Sequence, residues 1–167
     1  MPDQCGPGPT PGSWGSATIG PFGHSVGFLL SQTGAATARL FKAALEEVDL
    51  EPRHFALMRA IEAAENRSQQ LLAETLQIPP SSMVALLDQL EERGIVARHL
   101  DASDRRVRIV DLTEAGRAIL AEAMHLAMAT ELQVCEGFDF DRRELLISLL
   151  QTVAANLGLA QGVHPDG

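Results

Sequence analysis

The sequence predicts a mainly α-helical fold with a small β-hairpin wing: a winged helix-turn-helix joined to a helical dimerisation region. Three observations lead there. Apolar residues recur at three- and four-residue steps through most of the chain after Ser25. The helical period stops between Ile95 and Leu112, where two short apolar runs flank the polar stretch Asp101 to Arg106. Proline and glycine stand where helices are expected to begin and end.

Residues 1–24 are dense in Gly and Pro and are expected to form an irregular N-terminal arm. From Ser25, the spacing of Val26, Leu29, Leu30, Leu40, Phe41, Ala44, Leu45 and Val48 predicts a long amphipathic helix. Pro52 suits the first turn of a second helix, since its missing N–H costs nothing there, and Phe55, Leu57, Met58 and Ile61 continue the apolar pattern. Ser68 is placed to cap a short third helix with Leu71, Leu72 and Ala73. A tight turn at Leu76, Gln77 and Ile78 leads to a fourth helix, opened by Pro80 and closed by Gly94, whose Met83, Leu86, Leu87 and Leu90 face inward.

Ile95 to Leu100 and Val107 to Leu112 are the hairpin strands. A helical pattern resumes near Thr113 and runs to about Glu136. A last helix is expected from near Asp141, with Glu144 completing a capping box. Two long apolar-striped helices flanking a small domain imply a second copy of the chain as partner. The expected organisation is an arm at 1–24, a dimerisation region at 25–51 and 114–157, a winged helix-turn-helix at 52–113 and a C-terminal tail at 158–167.

A composition of 46% hydrophobic and 21% charged residues is that of a globular protein. No stretch approaches the roughly 20 apolar residues of a bilayer crossing, so no membrane partner is expected. The N-terminus has neither the basic start nor the apolar core of a secretory signal, which makes the cytoplasm the expected compartment. Cys5 and Cys135 have no metal-type or disulfide spacing, and the five histidines show no paired metal spacing, so no cofactor or metal is expected.

The net charge of -9 argues against indiscriminate coating of nucleic acid. Positive charge is nevertheless gathered in one stretch, where Arg93, Arg98, Arg105, Arg106 and Arg108 face only Asp101 and Asp104. A short helix, tight turn, second helix and hairpin are the parts that present one helix to the major groove of DNA. Residues 50–61 (LEPRHFALMRAI), 71–96 (LLAETLQIPPSSMVALLDQLEERGIV) and 98–116 (RHLDASDRRVRIVDLTEAG) resemble the MarR family of bacterial transcription regulators. Asp104-Arg105-Arg106 followed by Leu112-Thr113 and Gly116 is the most specific part of that resemblance. It implies an obligate homodimer on a pseudo-palindromic double-stranded DNA operator, often released by a small aromatic or phenolic effector.

Candidate DNA-binding residues follow from position. Ser68 begins the first helix of the motif, and Pro80, Ser81 and Ser82 open the recognition helix, where hydroxyls and backbone N–H groups can meet phosphates. Gln89 could pair with adenine, and Ala85 could touch a thymine methyl. Arg98 and Arg105 add charge, and Arg106 resembles the family's minor-groove arginine, with Asp104 placed to orient it or a neighbour. Gln77 stands where such turns often have glycine, at a cost of about 1 kcal/mol if left-handed geometry is required. Phe28, His54 and Met58 are candidates for effector binding by position alone.

Other readings are weighed on the same residues. Gly23-His24-Ser25-Val26-Gly27 fits the G-x-S-x-G pattern of serine hydrolases, but no βαβ alternation follows it, so no enzyme is expected. A thiol-based redox-sensing regulator is one alternative, weakened because Cys5 lies in the arm and Glu136 beside Cys135 opposes thiolate formation. The serious alternative is a winged-helix module that binds protein, motivated by Asp88, Glu91 and Glu92 on the recognition helix.

Overall fold

The computed structural model describes residues 25–64, 68–101 and 104–159. Along the chain these form α1 (Val26–Glu46), α2 (Pro52–Ala63), α3 (Gln69–Thr75), α4 (Pro80–Glu92), β1 (Val96–Leu100), β2 (Arg108–Leu112), α5 (Glu114–Val134) and α6 (Phe140–Asn156). The mainly helical fold with one hairpin is therefore as expected. The chain divides into two units, Met1–Ala36 and Thr37–Gly167. In the first, the described residues are the start of α1, where Val26, Phe28 and Leu29 are exposed. The expected N-terminal arm, with Cys5, lies outside the described residues, as does most of the C-terminal tail.

In the second unit, the core gathers Leu45 and Leu50, the inner face of α2 (Leu57, Met58, Ile61), Leu72 of α3, and Met83, Leu86, Leu87 and Leu90 of α4. Ile95, Val96, Val110 and Leu112 bring the hairpin onto it, and Leu120 and Ala123 bring α5. Phe41 and Phe55 meet edge to face, with ring centroids 5.5 Å apart. The strands pair antiparallel, with Val96 opposite Leu112 and Leu100 opposite Arg108. An isolated bridge from Ser68 to Ile109 ties the start of α3 to β2.

Helix ends are set by local chemistry. Ser68 Oγ accepts the Leu71 N–H at 3.2 Å, the cap expected of it. At Gly94, with φ of 68°, the N–H groups of Gly94 and Ile95 bond back to the Glu91 and Leu90 carbonyls, a Schellman ending of α4. Gln77 closes α3 in the same way at φ of 54°. A side chain in this left-handed region is strained, so Gln77→Gly is expected to stabilise the fold by about 0.5 to 1 kcal/mol in chemical denaturation. An unchanged or lowered midpoint contradicts this.

One cap is corrected. The last helix is opened by Asp139, whose carboxylate accepts the Arg142 N–H at 2.9 Å, and not by Asp141 with Glu144. Both aspartates precede apolar runs, but Asp139 is the one with extended backbone, at ψ of 173°, and Asp141 already lies in the first helical turn. Helix α6 buries none of its residues: Phe140, Leu145, Leu149 and Leu150 are all exposed, as are Met128 and Leu132 of α5.

Candidate nucleic-acid interface

Helix α4 opens with Pro79 at the cap and Pro80 behind it, and no side chain caps its first turn. The backbone N–H groups of Ser81 and Ser82 therefore lie at the positive end of the helix without a side-chain acceptor, the arrangement that receives phosphate oxygens. Ser81, Ser82, Ala85 and Gln89 are all exposed, while the opposite face carries the buried Met83, Leu86, Leu87 and Leu90. Ser82, Ala85 and Gln89 share one helix face by their spacing. They line a cleft of about 350 Å³ together with Arg53 from the start of α2.

A larger cleft, of about 860 Å³, lies between the helix-turn-helix and the wing. Ser68, Gln69 and Gln70 line one side, Pro80 and Met83 the floor, and Arg106 and Arg108 the wing side. Among the described residues, Arg105, Arg106 and Arg108 are exposed and form no ion pair. The turn that carries them is built by aspartate. Asp101 accepts the Asp104 N–H at 2.9 Å, and Asp104 accepts the Arg106 N–H at 2.9 Å. Asp104 thus fixes the wing through the backbone of Arg106 and not through a guanidinium, as its sequence position had suggested.

Arg98 behaves differently from its neighbours. Its guanidinium bonds Glu91 twice, through Nε at 2.9 Å and through Nη2, and reaches Asp88 at 2.5 Å. Glu91 also accepts the Arg98 backbone N–H at 3.1 Å. This clamp joins β1 to α4 and offsets part of the negative charge of two acids on α4 from within the fold. The Arg98 guanidinium holds the Glu91 carboxyl below its ordinary value, with burial opposing the shift. A group with a lowered folded pKa contributes stability above the ordinary carboxylate range, and loses it as pH falls through its folded value. Glu91→Gln is therefore expected to make the melting temperature fall less steeply as pH drops below about 4. Parallel pH profiles for the two proteins contradict the clamp.

His54 is buried and uses both ring nitrogens. Nδ1 accepts the Glu51 N–H at 3.1 Å, and Nε2 lies 3.2 Å from Gln89 Oε1. Met58 is fully enclosed in the core. Neither lines one of the two clefts. Phe28, in the other unit, is exposed. Ser25, the serine of the hydrolase-like pattern, accepts the Phe28 N–H at 3.4 Å at the start of α1. No group of three potential metal ligands occurs among the described residues, and no helix there is long and apolar enough to cross a membrane.

Comparison with known proteins agrees with this geometry. The family model described as MarR family matches residues 48–107. A transcriptional repressor, CouR, bound to a 23-mer DNA duplex is 34% identical, with 84% of this chain and 99% of that chain covered and a TM-score of 0.71. The chain belongs to the MarR family. CouR from Rhodococcus jostii RHA1 bound to p-coumaroyl-CoA is 33% identical over 81% of this chain and 96% of that one, with a TM-score of 0.67. A transcriptional regulator of the MarR family from Rhodococcus sp. RHA1 is 33% identical over 77% and 91%, with a TM-score of 0.65.

Within this MarR-family fold, six of the sequence-predicted DNA-binding residues line the two clefts, which share Ile78 and Pro79. Ser68, Pro80 and Arg106 line the larger cleft, and Ser82, Ala85 and Gln89 the smaller. Sequence reasoning passed over Arg53, Gln69, Gln70 and Arg108 as members of these clefts. Arg108 was within reach of it, since it extends the basic run of the wing. Arg53 was not, because only the packing of α2 brings it beside α4.

Proposed function

We propose that the chain is a ligand-responsive transcriptional regulator, a repressor, that binds a pseudo-palindromic DNA operator as a homodimer in the cytoplasm and has no catalytic role. The observation that carries this reading is an uncapped recognition-helix start beside a cleft whose wing side carries Arg106 and Arg108, neither in an ion pair among the described residues, in a chain of net charge -9. Ser81 and Ser82 offer amides and hydroxyls to a phosphate, and Ala85 and Gln89 face base edges. Arg106 enters the flanking minor groove, Arg105 and Arg108 approach phosphates, and Ser68 caps α3 beside the same strand. Arg98 braces the wing against α4 instead of touching DNA.

The solved complex of CouR with a DNA duplex supports the first part of this reading, and that of CouR with p-coumaroyl-CoA supports an aromatic or phenolic effector. A second copy accounts for the exposed apolar faces of α5 and α6, which residues 25–51 and 114–157 would close across a two-fold axis, leaving 52–113 to bind DNA. The burial of His54 and Met58 supports structural roles for both over effector contact. The pairing of Asp88 and Glu91 with Arg98 weighs against the protein-binding alternative, of whose three acids Glu92 stays exposed.

Selection of duplexes from a randomised pool tests the reading, followed by a gel shift at increasing salt and light scattering. A dimer whose affinity for the selected duplex falls steeply with salt is expected. A monomer of 17.9 kDa, or salt-insensitive binding, overturns it.

A further inference from the structure

His54 and Gln89 are 35 positions apart, yet they form one hydrogen-bonded chain across α2 and α4. Its direction is set by a group that cannot reverse. The Glu51 backbone N–H is a donor only, so His54 Nδ1, 3.1 Å away, must accept. In the neutral ring the proton then sits on Nε2, which donates to Gln89 Oε1 at 3.2 Å. That bond pins the amide oxygen of Gln89 toward α2 and leaves its NH₂ group as the free edge, on the helix face shared with Ser82 and Ala85.

We infer that His54 is a positioning residue for DNA readout: it fixes the rotation of the Gln89 amide, so that Gln89 addresses the major groove as a hydrogen-bond donor. This rests on the reading of α4 as the recognition helix. The consequence is chemical selectivity. An amide turned with its NH₂ group outward suits the acceptors of a base edge, namely purine N7, guanine O6 or thymine O4. Two-point adenine pairing would call on the second lone pair of the same amide oxygen, the first being engaged by His54. Because the His54 ring is buried and bonded at both nitrogens, the Gln89 amide is set before DNA arrives.

Two substitutions separate this role from simple packing. His54→Asn retains an acceptor near the Nδ1 position for the Glu51 N–H, so α2 stays capped, but it does not reach Gln89. His54→Gln places an amide near the Nε2 position and can still donate to Gln89. Duplexes selected by the wild-type full-length chain serve as the probe, with every base pair varied in turn. His54→Asn and Gln89→Ala are expected to lose about tenfold of base preference at the same operator position in each half-site, with other positions unmoved and His54→Gln close to wild type. Long-range nitrogen-proton NMR of the free protein is expected to find neutral His54 protonated on Nε2. His54→Asn keeping the preference that Gln89→Ala loses, or a proton on Nδ1, overturns the role of His54 and leaves the DNA reading intact. Failure of the wild-type chain to select any duplex defeats the DNA reading, and this inference with it.

Discussion

Gly116→Ala is expected to destabilise the fold by about 3 kcal/mol or more, since among the described glycines only this one would place a Cβ against backbone atoms. Gly116 is buried in the first turn of α5, and a Cβ there would lie 2.0 Å from the Ile95 carbonyl oxygen and 3.0 Å from its carbon. Both are backbone atoms, so no side chain can swing aside. The Ile95 carbonyl is itself held, accepting the Thr113 N–H at 3.0 Å and the Thr113 hydroxyl at 3.2 Å. Thr113 Oγ1 also bonds the Gly94 carbonyl at 2.7 Å and accepts the Gly116 N–H at 2.9 Å. Leu112-Thr113 and Gly116 thus form one lock between the start of α5 and the corner from α4 to β1. Relief of the clash must pull α5 from that corner, which carries the core residues Ile95 and Val96. Thermal melting checks this, with a fall on the order of 6 to 12 °C expected for a chain of this size. A shift under 2 °C contradicts the close packing.

Arg106→Ala is expected to leave fold and dimer intact but weaken operator binding by about 1 to 3 kcal/mol per dimer, roughly 5- to 150-fold. Arg106 is exposed beside the larger cleft, held by its backbone to Asp104, and its guanidinium forms no ion pair among the described residues. Its loss therefore costs the fold little. On DNA it should remove about two phosphate-equivalents from the salt dependence, one from each subunit. Arg142→Ala on α6 is the control, with the same charge change at a distant surface. Equal losses in the two variants, both dimeric, would mean that the wing reads no DNA.

Much of this arrangement was legible because it is written in local chemistry. Pro52 and Pro80 at helix starts, Ser68 as a cap, Gly94 at a helix end and the two runs of the hairpin each act over a few residues. The strained turn was legible only through the motif, since nothing about Gln77 itself announces a positive φ. Asp139 was missed because two aspartates competed for one cap, and backbone geometry decided between them. The clamp of Arg98 on Glu91 and Asp88, and the bond from His54 to Gln89, were illegible for another reason. Each joins separate elements, and the partner depends on helix phase and rotamer rather than on spacing. From charge alone Arg98 reads as a DNA contact, and from position alone His54 reads as an effector ligand.

Hydroxyl-radical footprinting of the wild-type chain on a selected duplex tests the central claim most directly. Two protected segments are expected, centred one helical turn or about 10 to 10.5 base pairs apart, each flanked by minor-groove protection that disappears in Arg106→Ala. A single protected segment, or minor-groove protection that survives Arg106→Ala, would contradict a dimer that reads DNA with α4 and the wing.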